Sequence, residues 1–485
     1  MTSAVVVGSG PNGLSAAIRL ASAGVEVLVL EAQSELGGGT RTSELTLPGV
    51  LHDDCAAFHP TGVASPYFRS LGLERHGLRW SWPEIDLAHP LDDGRAGLAA
   101  RDASFTDSSL GVDARRWHRM FDAPVRNFDD LAREVFQPVV HVPRHPVTLG
   151  RFGLSAAQPA TWLARRFSDE PARALLTGVA AHAFSRLDTP FSGSVGMLLT
   201  AAAHAVGWPV AEGGSAAITR ALLAELASHG GTVRTGTRVT TLADVAEQAD
   251  GMPDILMLDT SPSGAVEILG GRLRAGVRRG LTRYRFGPAA FKVDIALDGD
   301  IPWRNPDCGR AGTVHLGGGA DEMVATEARV VRGELPERPF VLLGQQYLAD
   351  PSRSAGGINP IYAYAHVPHA YSGDATEAVL AQIERFAPGF RDQVVAISAR
   401  NAVGLADHNE NYVGGDIATG ANHARQILFR PRIAGNPYAL GALRGSSRDD
   451  AVRAYLCSAA TPPGAGVHGM GGFHAAEAAL RHAGG

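Results

Sequence analysis

A glycine turn set between a short apolar run and a helical pattern, all within the first thirty residues, constrains this chain more than any other feature. Ala4 to Val7 reads A-V-V-V, an apolar β-branched run of the kind that forms a fully buried strand. Gly8-Ser9-Gly10-Pro11-Asn12-Gly13 follows at once. The spacing predicts a helix from Pro11, a residue accepted in a first turn, with Leu14, Ala17, Ile18 and Ala21 on one face and Gly24 at its end. Val25 to Leu30, V-E-V-L-V-L, predicts a second strand ending at Glu31.

Each part of this strand–turn–helix–strand unit suits a dinucleotide. Gly8 permits the tight turn, Gly10 lets the backbone approach a pyrophosphate, and Gly13 lets helix and strand pack closely. The helix that starts at Pro11 offers free N–H groups, from Asn12 on, and the positive end of its dipole to phosphate. Glu31, eighteen residues beyond Gly13, is placed to accept hydrogen bonds from an adenosine ribose. Ala32 and Gln33 follow, with no arginine to hold a 2′-phosphate, which disfavours NADP.

The bulk properties narrow the class. The 485 residues, 45% of them hydrophobic, suffice for more than one domain. With 44 basic against 49 acidic residues the chain lacks the basic stripe of a nucleic-acid binder. Cys55, Cys308 and Cys457 lie far apart and are odd in number, so neither a metal cluster nor a disulfide framework is expected; they read as reduced thiols of a cytoplasmic protein. The N-terminal apolar run has no basic residue before it and stops at Gly8, unlike a signal peptide. No stretch approaches the ~18 apolar residues of a membrane span, although peripheral contact with lipid stays open.

FAD and NAD share the first fingerprint, and a second glycine loop separates them. Gly37-Gly38-Gly39-Thr40-Arg41-Thr42 follows shortly after Glu31. It resembles the segment behind the ribose-binding acid in flavoproteins of the glutathione-reductase and amine-oxidase types. That resemblance places Gly38, Gly39, Thr40 and Arg41 along FAD, with the arginine close to phosphate or isoalloxazine. A second strand-plus-fingerprint unit is missing, so an integral NAD(P)H domain is not expected.

From His59 to His204 proline, tryptophan and histidine interrupt mostly helical patterns, suggesting an inserted helical lid. The βα pattern resumes at Glu212-Gly213-Gly214-Ser215, read as a turn feeding a Ser-capped helix. Thr232 to Leu242 reads as a strand pair about Gly236, and Asp254 to Asp259 as a buried strand. A strand-rich stretch follows, with Phe291–Leu297, Thr313–Leu316, Phe340–Gln346 and Pro360–Ala365, and suits an antiparallel sheet beside a substrate cavity. Near the end, Tyr455 to Ser458 reads as a strand. Thr461-Pro462-Pro463-Gly464-Ala465-Gly466-Val467-His468-Gly469-Met470 then opens an alanine-rich helix, a second cluster of amides for negative charge.

Four stretches together carry a family resemblance: V-V-V-G-S-G-P-N-G-L-S-A-A, G-G-G-T-R-T, the block E-G-G-S…H-G-G-T-V-R-T-G-T-R-V, and C-S-A-A-T-P-P-G-A-G-V-H-G-M-G-G. The chain resembles the phytoene-desaturase-like FAD-dependent oxidoreductases nearly end to end. F-G-P-A-A-F-K-V-D-I-A-L-D and N-Y-V-G-G-D-I are similar to the dehydrogenase-related branch of that group. The resemblance implies an α/β fold: a discontinuous Rossmann-like FAD-binding domain (1–60, 205–285 and 404–485) with an inserted α+β substrate domain (61–204 and 286–403) of antiparallel sheet plus helical lid. It implies FAD on Gly8–Gly13 and Glu31, adenine against the backbone of Val239, and flavin beneath Gly464–Met470, including Gly466, Val467, His468 and Gly469. His468 stands where carotenoid desaturases usually carry proline, which argues against a carotene.

For chemistry, histidine is the natural acid or base near neutral pH. His59, His182, His204 and His468 each lie among small or apolar residues, and His468, His182 and His59 are the catalytic candidates. Lys292 is a further polar group for the cavity. Three readings follow. The first is a flavin dehydrogenase of desaturase type acting on an apolar small molecule, with O₂, a quinone or a redox protein as electron acceptor. The second is an amine or amino-acid oxidase on the same frame. The third is a redox-neutral isomerase or a non-catalytic flavin-binding protein.

Overall fold

The opening apolar run becomes the strand Ser3–Val7 at the centre of a six-stranded sheet in the computed structural model, which describes residues 2–432, 435–443 and 452–483. It runs parallel to Glu26–Leu30 on one side and to Ile255–Leu258 on the other, with Val5 opposite Leu28 and Leu256. Thr232–Arg234 and Arg453–Leu456 extend the sheet in parallel, and Ala439–Ala442 closes one edge antiparallel. The three central strands are covered on both faces, which is why they read as near-continuous apolar runs. The helix Pro11–Ala21 starts with proline in its first turn, directly above the end of Ser3–Val7. The C-terminal helix Met470–Ala483 packs along it, bringing the last loop of the chain beside the first.

A second sheet has seven strands in the spatial order Val394–Arg400, Ala289–Asp298, Ile358–Val367, Val341–Gly344, Ala311–Leu316, Ile85–Pro90 and Ala96–Ala99. Helices Phe128–Val135, Pro146–Ala156, Glu170–Ala181 and Gly193–Ala205 build the helical part around Trp117, Phe121, Leu131 and Leu175.

Three expectations need correction. The stretch from His59 to His204 is not only helical, because it donates Ile85–Pro90 and Ala96–Ala99 to the second sheet. Ile85–Pro90 runs parallel to Ala311–Leu316, so that sheet is mixed and not purely antiparallel. Asp86 hid this strand in the sequence; it is buried, but Trp208 N–H (2.6 Å) and Arg101 N–H (3.0 Å) donate to its carboxylate. The predicted strand pair Thr232–Leu242 is a single strand, Thr232–Arg234. The chain then turns, and Thr241 and Asp244 form a capping box on helix Leu242–Gln248. Ser215 does not cap its helix, since its hydroxyl turns inward to the Ala56 carbonyl and His59.

Candidate functional site

One cavity of ≈ 660 Å³ is lined by residues of both sheets and of the helical part. Its wall includes the glycine-loop residues Gly8 to Asn12, Glu31, Gly38, Gly39, Arg41, Val239 and Asp259. It also includes the mostly apolar Phe136, Phe152, Phe191, Leu198, Leu199, Lys292, Leu342, Tyr362 and Tyr364. The loop Pro463 to His468 contributes to the same wall.

The dinucleotide end is assembled by backbone geometry. Gly13 allows no side chain, because a Cβ there would lie 2.2 Å from the Gly8 carbonyl oxygen. Glu31 is fixed by the loop it serves: Oε2 accepts from Ser9 N–H (2.9 Å) and Ser9 Oγ–H (2.6 Å), and Oε1 accepts from Gln33 N–H (2.9 Å). The Thr237 N–H donates to the Glu31 carbonyl (2.8 Å), which pins the segment carrying Val239 beside that carboxylate. The two glycine loops meet, since a Cβ on Gly38 would lie 3.1 Å from the Gly10 Cα. Arg41 is 6% exposed and donates to the His408 carbonyl at 3.2 Å; its Nε is buried with no partner, and no carboxylate pairs with it among the described residues. A buried guanidinium without a counter-ion, lining the same cavity as the start of helix Pro11–Ala21, fits an anionic group such as a pyrophosphate.

Several residues named from sequence have other duties. Gly13 and Thr40 do not line the cavity: Gly13 closes the loop on the sheet, and the Thr40 hydroxyl binds the Gly37 carbonyl (2.8 Å) and Thr219. Gly469 and Met470 also lie off the cavity, at the start of the last helix, while Gly466, Val467 and His468 line it. His59 is fully buried, is not among the cavity-lining residues and bonds Ser215 Oγ at 2.9 Å, a place in the core. His204 likewise is held between the Trp117 indole (2.9 Å) and the Ala100 carbonyl (2.8 Å).

His468 and His182 do reach the cavity. His468 Nδ1 accepts the Met470 N–H at 3.1 Å, and its Nε2 closes no hydrogen bond. Burial pushes its pKa down to about 4, so the ring is neutral at physiological pH. His182 Nε2 lies 2.9 Å from His315 Nε2, and burial lowers its pKa to about 3.

Other groups were not picked out from sequence, or only partly. Asp259 closes a strand in the sequence but reaches back into the first glycine loop, where its Oδ2 accepts the Gly13 N–H at 2.9 Å. Lys292 Nζ pairs with Asp294 and lies 4.6 Å from the Tyr362 ring centre; His52 Nδ1 approaches Asp294 at 3.5 Å. Arg430, nearly buried beside Gly464, donates to the Ala459 carbonyl and to Asn422 (2.8 Å). Phe184, Phe191 and Thr419 line the cavity with left-handed backbones (φ 49°, 67° and 52°), strain of the kind that collects at binding sites and that residue type does not announce.

Comparison with known proteins agrees with this architecture. Residues 6–71 match the NAD(P)-binding Rossmann-like domain family. A mouse protein, pyridine nucleotide-disulfide oxidoreductase domain-containing protein 2, is 24% identical across 99% of this chain and 93% of its own. An oxidoreductase from Methanosarcina mazei superposes with a TM-score of 0.63 at 16% identity, covering 99% of this chain and 100% of that one. Putrescine oxidase bound to putrescine superposes with a TM-score of 0.61 at 15% identity, over 99% and 98%. The fold is therefore mixed α/β with a Rossmann-like NAD(P)/FAD-binding domain. These likenesses reach that broad fold; they do not single out the phytoene-desaturase-like branch. No described helix is long and apolar enough to cross a membrane.

Proposed function

We propose that the protein is an FAD-dependent oxidoreductase that binds its cofactor non-covalently and takes a hydride from an apolar small molecule, in a dehydrogenation of desaturase type. One observation carries the reading: a single cavity joins the Glu31–Gly10–Arg41 end to an apolar chamber, with the loop Pro463 to His468 on its wall. That lining, glycine loops together with apolar side chains, suits a dinucleotide with its reactive ring beside a substrate space. When bound, FAD supplies the hydride-accepting ring, while the protein binds, orients and shields.

The residues divide that work by position. Glu31 serves the ribose, and Asn12 N–H with Arg41 serves the phosphates. Val239 lies against the adenine through its backbone. Gly466, Val467 and the neutral His468 border the flavin. The phenylalanine and leucine side chains of the helical wall exclude water from the chamber. Oxygen, a quinone or a redox protein takes the electrons onward.

The walls speak against the amine-oxidase alternative. Every carboxylate lining the cavity is already engaged: Glu31 by Ser9 and Gln33, Glu134 by His141, Asp259 by Gly13 and Glu410 by Arg238. None is free of a protein donor, so a substrate ammonium would have to add to bonds already made. The test is the visible spectrum of the purified protein. Absorption near about 450 nm after reconstitution, bleached anaerobically by an apolar donor, is the expected result; no such band after reconstitution overturns the reading.

A further inference from the structure

The apolar chamber has a polar contact whose proton can be located. His182 is the C-cap of helix Glu170–Ala181, and its ring stands between Trp208, edge-on at 5.8 Å, and His315, nearly perpendicular at 5.0 Å. The two Nε2 atoms are 2.9 Å apart, so one carries the shared proton and the other accepts it. The outer nitrogens differ. His315 Nδ1 is sealed inside the protein without a partner. His182 Nδ1 also has no protein partner among the described residues, but His182 lines the cavity and this atom is not sealed.

Two tautomer arrangements satisfy the contact. If His182 donates, His315 must carry its own proton on Nδ1, leaving an orphaned N–H in the interior. If His315 donates, its Nδ1 is a bare lone pair, and His182 carries its proton on the nitrogen that faces the chamber. Orphaned buried N–H groups are rarer and costlier than unused acceptor sites, so the second arrangement prevails. Burial holds both rings neutral, His315 well below its ordinary range with His182 and His89 adding to the effect, so no extra proton blurs the choice.

We propose that His182 presents a fixed, neutral N–H donor to the chamber, with His315 as the residue that positions it, and that the substrate is an apolar molecule bearing a carbonyl oxygen to receive that bond. This rests on the reading of the chamber as the substrate side of a flavin site. A pure hydrocarbon would seal the His182 N–H away from water with nothing to accept it. A substrate cation brings no acceptor and finds no free carboxylate. A substrate anion finds Lys292 already neutralised by Asp294. A neutral ketone meets the donor without burying charge.

The test uses the FAD-reconstituted full chain and two probes with one carbon frame, α-tetralone and its hydrocarbon tetralin, with binding followed by equilibrium dialysis. The expected result is at least a roughly tenfold preference for the ketone, about the value of one satisfied buried donor. His182→Phe should abolish the preference while retaining flavin, and His182→Gln, which keeps an N–H donor, should retain part of it. Equal affinities in the wild type, no saturable ketone binding, or a preference that survives His182→Phe overturns the proposal. Nitrogen-15 histidine spectra, assigned with His182→Gln, should show His182 protonated on Nδ1; protonation on Nε2 overturns it independently. If the protein takes up no FAD the functional reading fails, while the tautomer read on the same sample still decides the donor.

Discussion

Asp259 places Oδ2 2.9 Å from the amide nitrogen of Gly13 and accepts that N–H from inside the first glycine loop. The carboxylate fills the hollow behind Gly8–Gly13, at the start of helix Pro11–Ala21, where the helix dipole favours negative charge. Burial opposes that charge, and nearby Glu31 adds to the opposition against the relief given by the Gly13 and Gly10 amides. The Asp259 pKa is pushed up to about 7 from 3.8.

The consequence is a pH dependence with a defined sign. Since the folded pKa is raised, the contribution of protonated Asp259 to stability is fully present below the unfolded value of 3.8 and is lost as pH rises through about 7. FAD brings phosphate charge to the same loop, so it too prefers the neutral acid. FAD affinity should fall above about pH 7, by at most about tenfold per pH unit. Asp259→Asn keeps an acceptor for Gly13 and cannot ionise, so its affinity should be flat over that range. The candidate histidines cannot supply this slope, because burial holds His59, His182 and His468 near about 4, 3 and 4. Titration of the apo-protein with FAD across the range checks it, and a slope that persists in Asp259→Asn assigns the proton elsewhere.

Gly10 tests the same contact from the other side. Its backbone is ordinary for any residue (φ −64°, ψ 169°), so alanine is not excluded by strain. A Cβ at Gly10 would instead lie 2.7 Å from Asp259 Oδ2. Gly10→Ala should lower stability by about 1–3 kcal/mol, the usual cost of overpacking, and the same change in an Asp259→Ala background should cost less than half as much. Denaturant unfolding of the four apo-proteins gives the coupling. Equal costs in both backgrounds would show that Asp259 is not what the added methyl meets.

The parts of this site that were legible in the sequence are those that local pattern determines. The Ser3–Val7 strand, the Pro11 helix and Glu31 follow from a run of β-branched residues, glycine spacing and an acidic residue at a strand end. Asp259 was not legible as part of the loop, because its partner Gly13 is 246 residues away. The histidines show the same limit: apolar neighbours surround both a core residue and a cavity residue, so His59 and His182 look alike until packing sends only one to the cavity. Ile85–Pro90 was missed because buried Asp86 breaks its apolar pattern, and only distant amides at Arg101 and Trp208 make that burial tolerable.

Arg41 is expected to be the main cationic contact for the cofactor phosphates. Arg41→Met keeps most of the side-chain volume and should leave the fold intact, because the lost protein contact is a single bond to the His408 carbonyl. FAD affinity should fall by roughly ten- to a hundredfold, with weaker dependence on salt, and Arg41→Lys should recover only part of it. Fluorescence titration with FAD at low and high ionic strength measures both effects. Unchanged affinity in Arg41→Met would remove Arg41 from the site.

Lys292 and Asp294 lie two residues apart on the strand Ala289–Asp298, so their side chains share one face and pair while both are almost fully buried. Removing only the lysine leaves Asp294 with His52 at 3.5 Å as its remaining ionisable partner. Lys292→Met should therefore lower stability by about 3–5 kcal/mol, and adding Asp294→Leu should restore much of it, because the cost lies in the unpaired charge. Recovery of stability without recovery of substrate turnover in the double variant would assign Lys292 a second duty at the cavity wall, where its ammonium also faces the Tyr362 ring at 4.6 Å. Recovery of both would confine the pair to holding the strand. A single variant as stable as the wild type would refute this cost, since an Asp294 kept protonated at neutral pH would itself lower stability relative to the unfolded chain.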